Sequence, residues 1–485
     1  MSRSTLDRQF VERLRGIVGS DAVIAAPDDC LVYECDMLVY YKGAPDVVVL
    51  PRSTAEVTAV VGLCLAAGVP VVPRGSGTGL IGGAMAPRGG VMIALNRMDR
   101  ILEVDLRNRY AVVEAGVINL GLTRAVEDRG YFFAPDPSSQ MVSSIGGNAA
   151  TNAGGPHALK YGSTVNHVLG VEVVTGRGEL LWLGGPVQER PGYDLTGVMV
   201  GSEGTLGVVT KVVVRLTRAG EAVKTALATF ASIEIATEAV SAIIAAGIIP
   251  AALEALDEHV VRAVEAGVKA GYPVGAKAVL LIELDGPAAE VETQAEAVAQ
   301  ICRARGALTI RVAKDDQERA LLWKGRKEAA GAFGRITHNY VLQDAVVPRT
   351  KLPEIMAQVQ AIARRHGLVV ANVFHAGDGN LHPMIAYDER IPGQFEAALE
   401  ANEAILDACI AVGGTVTGEH GVGLDKAMKL ALLFTPDDLG AMAAVRRVFD
   451  PRGLMNPDKV FPSHAACFEV SPGRAGKPVP EGMWV

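Results

Sequence analysis

The 485-residue chain has few aromatic residues, only 5% of its composition, and it lacks both clustered cations and long apolar runs. Its formal net charge is −8. We therefore expect no nucleic-acid partner, because phosphate binding depends on clustered Lys and Arg. The most apolar segment, 239–256, is interrupted by Gly247 and Pro250 and carries Glu254. It does not provide the roughly 20 consecutive apolar residues that a membrane-spanning helix needs.

We also expect neither a leader peptide nor a cysteine framework. The segment from Met1 to Gly16 is polar and charged, without the apolar core of a secretory signal. The six cysteines are scattered and include no Cys-x-x-Cys pair. This spacing excludes a zinc finger, an obvious iron–sulfur cluster and a disulfide framework. Together these absences favour a soluble cytoplasmic enzyme of mixed α/β structure.

Glycine is abundant instead, with 54 residues, and its distribution divides the chain into two regions. Residues 1 to about 217 combine many glycines with short β-like runs. Among them, a strand at 47–50, an amphipathic helix at 54–67 and a strand at 69–72 predict a β-α-β unit. From about residue 218, longer strands and helices alternate, as in a second α+β domain.

The first informative glycine-rich segment is Val-Val-Pro-Arg-Gly-Ser-Gly-Thr-Gly-Leu, residues 71–80. Glycines at 75, 77 and 79 let backbone N–H groups approach an anion such as a pyrophosphate. The spacing also matches the dinucleotide motif Gly-x-Gly-x-x-Gly, but no helix is predicted after the loop. We therefore reject a nicotinamide-binding Rossmann domain. A turn between strands with no ligand remains the alternative for this loop taken alone.

Three further segments weaken that alternative. Residues 135–140 and 144–155 read Pro-Asp-Pro-Ser-Ser-Gln and Ser-Ile-Gly-Gly-Asn-Ala-Ala-Thr-Asn-Ala-Gly-Gly, and residues 201–210 read Gly-Ser-Glu-Gly-Thr-Leu-Gly-Val-Val-Thr. Small polar side chains beside exposed backbone suit a flat ligand with many hydrogen-bonding groups, such as an isoalloxazine. Three such loops are hard to explain as turns.

These motifs, in this order, resemble the flavoproteins of the vanillyl-alcohol oxidase fold, whose FAD-binding domain is of the PCMH type. Within that family the chain is most similar to the flavin subunits of bacterial glycolate oxidases, and FAD-linked D-lactate and D-2-hydroxyglutarate dehydrogenases are close relatives. The resemblance runs from about residue 20 to about residue 465. It implies an α+β protein, with a PCMH-type FAD-binding domain of two subdomains, a ferredoxin-like α+β cap and a C-terminal segment that returns to the flavin.

The resemblance also implies domain limits and cofactor contacts. The expected parts are an N-terminal extension (1–41), the FAD-binding domain (42–218), the substrate-binding cap (219–411), a C-terminal segment (412–465) and a tail (466–485). The residues expected to bind FAD are Arg74, Gly75, Ser76, Gly77, Thr78, Gly79, Pro137, Ser138, Gly146, Gly147, Asn148, Thr151, Asn152, Gly154, Glu203, Gly207, Val209 and Asn456. Covalent members of the family carry a histidine at about the place of Thr78, so FAD should be bound non-covalently.

A second group of residues lies in two glycine-rich stretches near the C-terminus. The sequence Phe-His-Ala-Gly-Asp-Gly-Asn-Leu-His, residues 374–382, predicts a hairpin that brings His375 and His382 together. Residues 418–421 place Glu419 and His420 between glycines. Two histidines and a carboxylate form a ligand set for zinc, iron or manganese. Any one of these histidines alone would more often be a buried, hydrogen-bonded structural residue.

The resemblance assigns roles to this group. It implies His375, His382 and Glu419 as metal ligands, His420 as the base and Arg326 as the residue that binds the substrate carboxylate. At the places where hydroxyglutarate enzymes carry Thr and Lys for a second carboxylate, this chain has Ala330 and approximately Leu342. That difference favours a small monocarboxylate such as glycolate or D-lactate.

The expected activity is FAD-dependent oxidation of a small 2-hydroxy acid. The resemblance implies partners, an iron–sulfur subunit and a second flavin-type subunit, that would take the electrons and could bring the cytoplasmic protein to the inner membrane. The alternatives are a D-2-hydroxyglutarate dehydrogenase, a non-catalytic flavin subunit, and a non-redox transferase on the same fold, similar to the ether-lipid synthases.

Overall fold

The computed structural model describes residues 6–187 and 191–462. Within these residues no helix combines the length and the apolar character needed to cross a bilayer. The five cysteines found there form no disulfide. The predicted tail at 466–485, with Cys467, lies outside the described residues.

The described residues contain both short and long α-helices. They are α1 (Arg8–Val18), α2 (Pro27–Cys30), α3 (Thr54–Ala67), α4 (Asn119–Arg124), α5 (Ile145–Thr151), α6 (Ala158–Tyr161), α7 (Leu195–Met199), α8 (Ile233–Ala245), α9 (Glu258–Gly267), α10 (Ala288–Ala304), α11 (Asp316–Lys327), α12 (Ala329–Phe333), α13 (Leu352–Arg365), α14 (Gln394–Ala411) and α15 (Pro436–Phe449).

The strands fall into two sets. The first is β1 (Val23–Ile24), β2 (Val47–Val49), β3 (Val71–Arg74), β4 (Val91–Ala94), β5 (Ile101–Asp105), β6 (Tyr110–Glu114), β7 (Tyr131–Phe132), β8 (Val168–Thr175), β9 (Leu180–Gly184), β10 (Gly207–Arg215) and β11 (Thr217–Arg218). The second is β12 (Ala222–Phe230), β13 (Ala252–Asp257), β14 (Ala278–Gly286), β15 (Thr309–Val312), β16 (Asn339–Leu342), β17 (Ala345–Val346), β18 (Val369–His375), β19 (Asn380–Leu381) and β20 (Pro383–Tyr387).

The chain divides into two compact units. Unit 1 comprises residues 1–153, 163–218 and 420–485, and unit 2 comprises residues 154–162 and 219–419. The chain therefore enters unit 2 twice and returns to unit 1 between Glu419 and His420.

Unit 1 begins with the predicted β-α-β unit. Helix α3 is capped at its start by Ser53, whose side chain accepts a hydrogen bond from Glu56 N, and it ends at Gly68 in the left-handed conformation. Strands β2 and β3 are not neighbours, because each pairs in parallel with β4 in the sheet order β1-β2-β4-β3. Residues of α1 and α3 pack on this sheet in one apolar core.

A second, antiparallel sheet completes unit 1. Its order is β5-β6-β10-β8-β9, and β8 is buried along its whole length. Side chains from α4 and α5 pack against β6, β8 and β10 in a separate core. Helix α5 contains most of the second glycine-rich segment, so this core supports the predicted cofactor loop.

Unit 2 is built on a large antiparallel sheet. Its main path is β15-β12-β14-β13-β18-β19-β17, and β20 pairs with both β18 and β16. One apolar core joins this sheet to α9, α11 and α12. Gln343 and Asp344 separate β16 from β17.

The short excursion Gly154–Gly162 is held within unit 2 by side chains of β14. His157 Nε2 lies 3.2 Å from Glu283 Oε1, and Lys160 and Tyr161 both donate to Asp285. Glu283 also accepts hydrogen bonds from Arg319 and from Trp323 Nε1. Sequence analysis placed this segment in the FAD-binding domain, and its separate attachment depends on these contacts between residues distant in sequence.

Candidate functional site

The first glycine-rich loop of unit 1 packs against the side chain of Arg74. Arg74, at the end of β3, donates through Nη1 to Cys35 O at 3.0 Å and to Ala84 O at 3.3 Å. Gly77 has φ +73°, and a Cβ there would collide with the Arg74 guanidinium. The loop 74–79 thus needs glycine both for its backbone conformation and for space.

This loop also lies against the second glycine-rich segment. A Cβ on Gly75 would be 2.5 Å from Ser144 Oγ, and that hydroxyl caps α5 by accepting from Gly147 N at 3.2 Å. Gly146 approaches Ala115 so closely that a Cβ would be 2.6 Å from the alanine methyl. The structure therefore brings together the two loops expected to hold FAD, with small residues at their contact.

Two asparagines of the second segment have structural partners. Asn119 Nδ2 donates to Asn148 Oδ1 at 2.9 Å, and Asn152 Oδ1 accepts from Val165 N at 2.8 Å and Ser163 Oγ at 3.1 Å. Asn152 has φ +53°, so these bonds hold a left-handed turn at the end of α5. Flavin contacts by these residues remain predictions.

The other predicted FAD residues are spread over several elements. Thr151 Oγ1 donates to Gly147 O at 3.3 Å, Pro137 is buried and Ser138 is exposed. Gly207 and Val209 lie on β10, and a Cβ on Gly207 would be 2.5 Å from Val174 O. Ser76, Thr78 and Gly79 lie half-buried in the first loop. Gly154 belongs to unit 2, where a Cβ would be 3.0 Å from Glu419 Oε2.

Glu203 and Asn456, both predicted to bind FAD, are hydrogen-bonded to each other. Asn456 Nδ2 donates to Glu203 O at 2.6 Å and to Gly83 O at 2.9 Å. The Glu203 carboxylate accepts from the backbone N–H groups of Val422 and Gly423. The Glu203 carboxylate is therefore hydrogen-bonded within unit 1, and its contact with the adenosine half of FAD stays a prediction.

The second predicted group converges inside unit 2. His375 ends β18 and His382 lies between β19 and β20, as expected for a hairpin, with ring centroids 5.1 Å apart. The Nε2 atoms of both rings lie 3.1 Å from Glu419 Oε1. Ligand atoms of all three residues lie within 4.8 Å of one another. Two imidazole nitrogens and a carboxylate oxygen thus meet at one point.

The opposite nitrogens of these rings are held by acceptors. His375 Nδ1 lies 2.9 Å from Glu254 Oε2, and His382 Nδ1 lies 3.3 Å from Gln343 O. Metal-binding histidines typically donate their second nitrogen to a carboxylate or a backbone carbonyl in this way. The donor set and its supporting contacts therefore fit a divalent transition metal held by His375, His382 and Glu419.

The charges in this group are strongly coupled. Burial lowers the pKa of His375, but Glu254 and Glu419 outweigh it and raise that pKa well above 6.5. Burial raises the pKa of Glu419, but His375 and His382 outweigh it and lower that pKa well below 4.5. The group is therefore an ionic cluster in a buried setting, where electrostatic interactions are strong.

Arg326, the predicted carboxylate anchor, belongs to the same cluster. It lies on α11 with only 4% exposure, and its Nη2 is 2.5 Å from Glu254 Oε2. Among the described residues, its Nε has no hydrogen-bond partner. A buried guanidinium with a donor still available can bind a carboxylate.

Two acidic residues of this cluster were not predicted from the sequence. Glu254 lies in the middle of β13, opposite His375 on β18, and is fully buried. Asp344 accepts from Thr417 Oγ1 at 2.5 Å and from Gly418 N at 3.0 Å, which fixes the segment that carries Glu419. A carboxylate inside an otherwise apolar strand was the available signal for Glu254.

His420, the predicted base, is the first residue of the C-terminal part of unit 1. It follows Glu419 directly, so one peptide bond connects the cluster of unit 2 with the unit that carries the glycine-rich loops. Its predicted role is not tested by these contacts.

Comparison with known proteins identifies the class. Residues 45–184 match the FAD binding domain family, and residues 219–460 match the family described as FAD linked oxidases, C-terminal domain. The chain belongs to the family of FAD-linked oxidases and is an FAD-linked oxidoreductase, which confirms the resemblance noted in the sequence.

Individual relatives narrow the comparison. The chain is 44% identical to glycolate oxidase subunit GlcD of Escherichia coli (strain K12), over 94% of this chain and 91% of that protein. It is 42% identical to the GlcD subunit of Bacillus subtilis (strain 168), over 90% and 93%. It is 33% identical to a D-lactate dehydrogenase of Anaerostipes hadrus, over 88% and 91%.

A solved structure confirms the expected fold. The crystal structure of p-cresol methylhydroxylase with substrate bound superimposes with a TM-score of 0.78 at 18% identity, covering 93% of this chain and 96% of that one. This likeness establishes the PCMH-type architecture.

Proposed function

We propose that the protein oxidises glycolate or D-lactate to the corresponding 2-oxo acid, with FAD as the electron acceptor. The observation that carries this proposal is the buried cluster of His375, His382, Glu419 and Arg326 in a chain 44% identical to a glycolate oxidase subunit. It combines a cation that can bind a carboxylate with a ligand set for a metal that can polarise a hydroxyl, and both features suit a 2-hydroxy acid.

The residues have distinct tasks in this proposal. Arg326 binds the substrate carboxylate through donors that Glu254 leaves available, and so orients the 2-carbon. His420 accepts the proton of the 2-hydroxyl. FAD, when bound, would supply the two-electron acceptor, so that loss of the hydroxyl proton to His420 and of the 2-carbon hydrogen as a hydride would complete the oxidation.

A divalent metal, zinc, iron or manganese, would be held by His375, His382 and Glu419. Its chemistry would be to polarise the 2-hydroxyl and favour its ionised form. Glu254 and the carbonyl of Gln343 orient the two imidazoles for this task. The first loop carries Thr78 and no histidine, which supports non-covalent attachment of FAD.

We further propose that the substrate is small. Ala330, Leu342 and Met384 all belong to the apolar core of unit 2. A second carboxylate, as in 2-hydroxyglutarate, would find no cation at these positions. The substrate is therefore a monocarboxylate.

We further propose that electrons leave the flavin for an iron–sulfur subunit and a second flavin-type subunit. The relatives from Escherichia coli and Bacillus subtilis are each named as a subunit, which supports assembly. The protein would act in the cytoplasm and reach the inner membrane through those partners.

One experiment tests the activity. The purified flavoprotein is mixed anaerobically with glycolate, D-lactate, L-lactate or D-2-hydroxyglutarate, and the visible flavin band is followed. Bleaching by glycolate or D-lactate supports the proposal. Bleaching by D-2-hydroxyglutarate alone would show that the substrate is a dicarboxylate instead. If none of the four bleaches the flavin, the proposal is wrong. His420→Ala should bleach at least about a hundredfold more slowly if that residue is the base.

A further inference from the structure

The carboxylate of Glu203 lies against the turn that follows His420. Its Oε1 accepts from Val422 N at 2.6 Å, and its Oε2 accepts from Gly423 N at 2.8 Å. Glu203 is 5% exposed, so water does not compete for these bonds. Both carboxylate oxygens are thus bound by two successive peptide groups within unit 1, two and three residues after the predicted base.

The turn needs such an acceptor because its backbone is unusual. Gly421 has φ +94° and Gly423 has φ +54°, and no helix or strand includes them. A Cβ on Gly421 would lie 2.7 Å from Glu203 Oε1, so glycine allows the close approach of the carboxylate. Glu203 therefore fixes the backbone of a turn that no helix or strand stabilises.

Glu203 is itself fixed to the predicted flavin loop. It has φ +53°, its N–H donates to Ala150 O at 2.8 Å, and its carbonyl accepts from Asn456 Nδ2 at 2.6 Å. Ala150 lies in α5, next to Thr151, which is expected to line the flavin. A continuous series of hydrogen bonds therefore runs from α5 through Glu203 to the turn after His420.

Glu203 shares the interior of unit 1 with a buried lysine. Burial raises the pKa of Glu203 to about 7, against the opposite effects of the Val422 and Gly423 N–H groups and of Lys459, which is also fully buried. Lys459 Nζ donates to Met85 O at 2.9 Å, which fixes the ammonium. The carboxylate is thus part of the interior of unit 1 and not of a solvated surface.

We propose that Glu203 is a positioning residue for His420. Its carboxylate fixes the backbone of the 420–423 turn relative to α5, the helix predicted to bind the flavin. This role replaces the expected contact with the adenosine half of FAD. It rests on the proposed function, because it concerns the residue predicted to accept the substrate proton.

The test compares Glu203→Gln with Glu172→Gln. Glu172 is also a buried carboxylate of unit 1, but it accepts from Thr54, Thr210 and Lys211 and has no contact with the turn. Three quantities are measured on each holoenzyme: FAD affinity, anaerobic flavin reduction by glycolate or D-lactate, and amide hydrogen exchange of peptides that contain Val422 and Gly423.

Glu203→Gln should leave FAD affinity within about twofold, since no ligand contact is lost. It should slow flavin reduction by about tenfold or more and speed exchange at the two amides by about tenfold or more, because one of the two acceptor oxygens is replaced by an amide NH2 group. KM should change less than kcat. Glu172→Gln should change none of these quantities.

Two outcomes would overturn the role. If Glu203→Gln lowers FAD affinity tenfold with unchanged exchange, Glu203 binds the adenosine half of FAD instead. If flavin reduction and exchange both stay at the wild-type level, Glu203 does not position the turn. If Glu203→Gln does not fold, exchange in the wild-type protein decides, since the two amides should be protected although they lie outside helices and strands. Absence of reduction in the wild type would refute the proposed function, while the exchange result would still support or refute the hold on the turn.

Discussion

Replacing Glu254 tests whether one carboxylate organises the candidate site of unit 2. Glu254 and Arg326 have side chains that are 0% and 5% exposed, and the Oε2–Nη2 distance is 2.5 Å. Removing one partner of a buried ion pair typically costs about 3–5 kcal/mol, because the other charge stays buried without compensation. Glu254→Ala also removes the acceptor 2.9 Å from His375 Nδ1. Since both interactions share one carboxylate, their losses do not add, and we expect a total of about 3–5 kcal/mol.

Two further variants separate charge from volume. Glu254→Gln keeps the shape and one acceptor oxygen, so it should cost about 1.5–3 kcal/mol, as for one charge-assisted hydrogen bond. Adding Arg326→Met to Glu254→Gln removes the uncompensated cation. The double variant should therefore be more stable than Glu254→Gln alone.

Stability is measured by guanidinium unfolding of the cofactor-free protein. Because a protein of two units need not unfold in one step, the signal should report unit 2 alone. Trp323 provides it when Trp182 and Trp484 are replaced by Phe, since these are the only three tryptophans of the chain. Glu292→Gln is the matched control, because Glu292 pairs with Lys224 in the same unit but is 62% exposed. It should change stability by no more than about 0.5 kcal/mol.

The result that would refute this reasoning is a Glu254→Ala variant no less stable than Glu292→Gln. In that case Glu254 would not carry the buried ion pair. A separate measurement addresses the metal. Glu254→Gln should weaken zinc or manganese binding by about 10–100-fold, as for other residues that orient metal-binding histidines.

Three shorter predictions follow from other contacts. Burial raises the pKa of Glu283, but hydrogen bonds from His157 and Arg319 outweigh it and lower that pKa well below 4.5. Its stabilisation is thus present above about pH 4.5 and lost as the pH falls below it, so Glu283→Gln should flatten the acid side of the stability–pH profile; an unchanged profile would contradict this. Arg326→Lys should raise the KM for the hydroxy acid by about tenfold or more, because an ammonium lacks the guanidinium fork; an equal KM would remove the anchor role. Gly75→Ala should weaken FAD binding through its 2.5 Å approach to Ser144 Oγ, and adding Ser144→Ala should restore part of it, as titration with FAD would show.

Local patterns in the sequence predicted much of the architecture. Helix α3 has its predicted limits because Ser53 caps it and Gly68 ends it, and both signals lie within the segment itself. The hairpin that joins His375 and His382 was also predicted, since a Gly-Asp-Gly-Asn turn between short strands is a local feature. Elements defined by their own residues were therefore accessible from the sequence.

Contacts between residues distant in the sequence could not be predicted in this way. The excursion Gly154–Gly162 joins unit 2 because Glu283 and Asp285, more than 120 positions later, bind its side chains. No periodicity or turn signal within nine residues could reveal this. Asp344 likewise shows its role only through the segment at 417–419, about 75 positions away.

Glu254 combines a feature visible in the local sequence with contacts visible only in the fold. In the sequence it is a charge that interrupts the most apolar segment of the chain, which explains why that segment cannot be a membrane span. In the fold, register pairs it with His375 across β13 and β18, and α11 brings Arg326 to the same carboxylate. A fully buried carboxylate in a strand core is unfavourable without partners of opposite charge, so its presence in the sequence already required them. What the fold adds is their identity: the cation available for a substrate carboxylate, and an imidazole available for a metal.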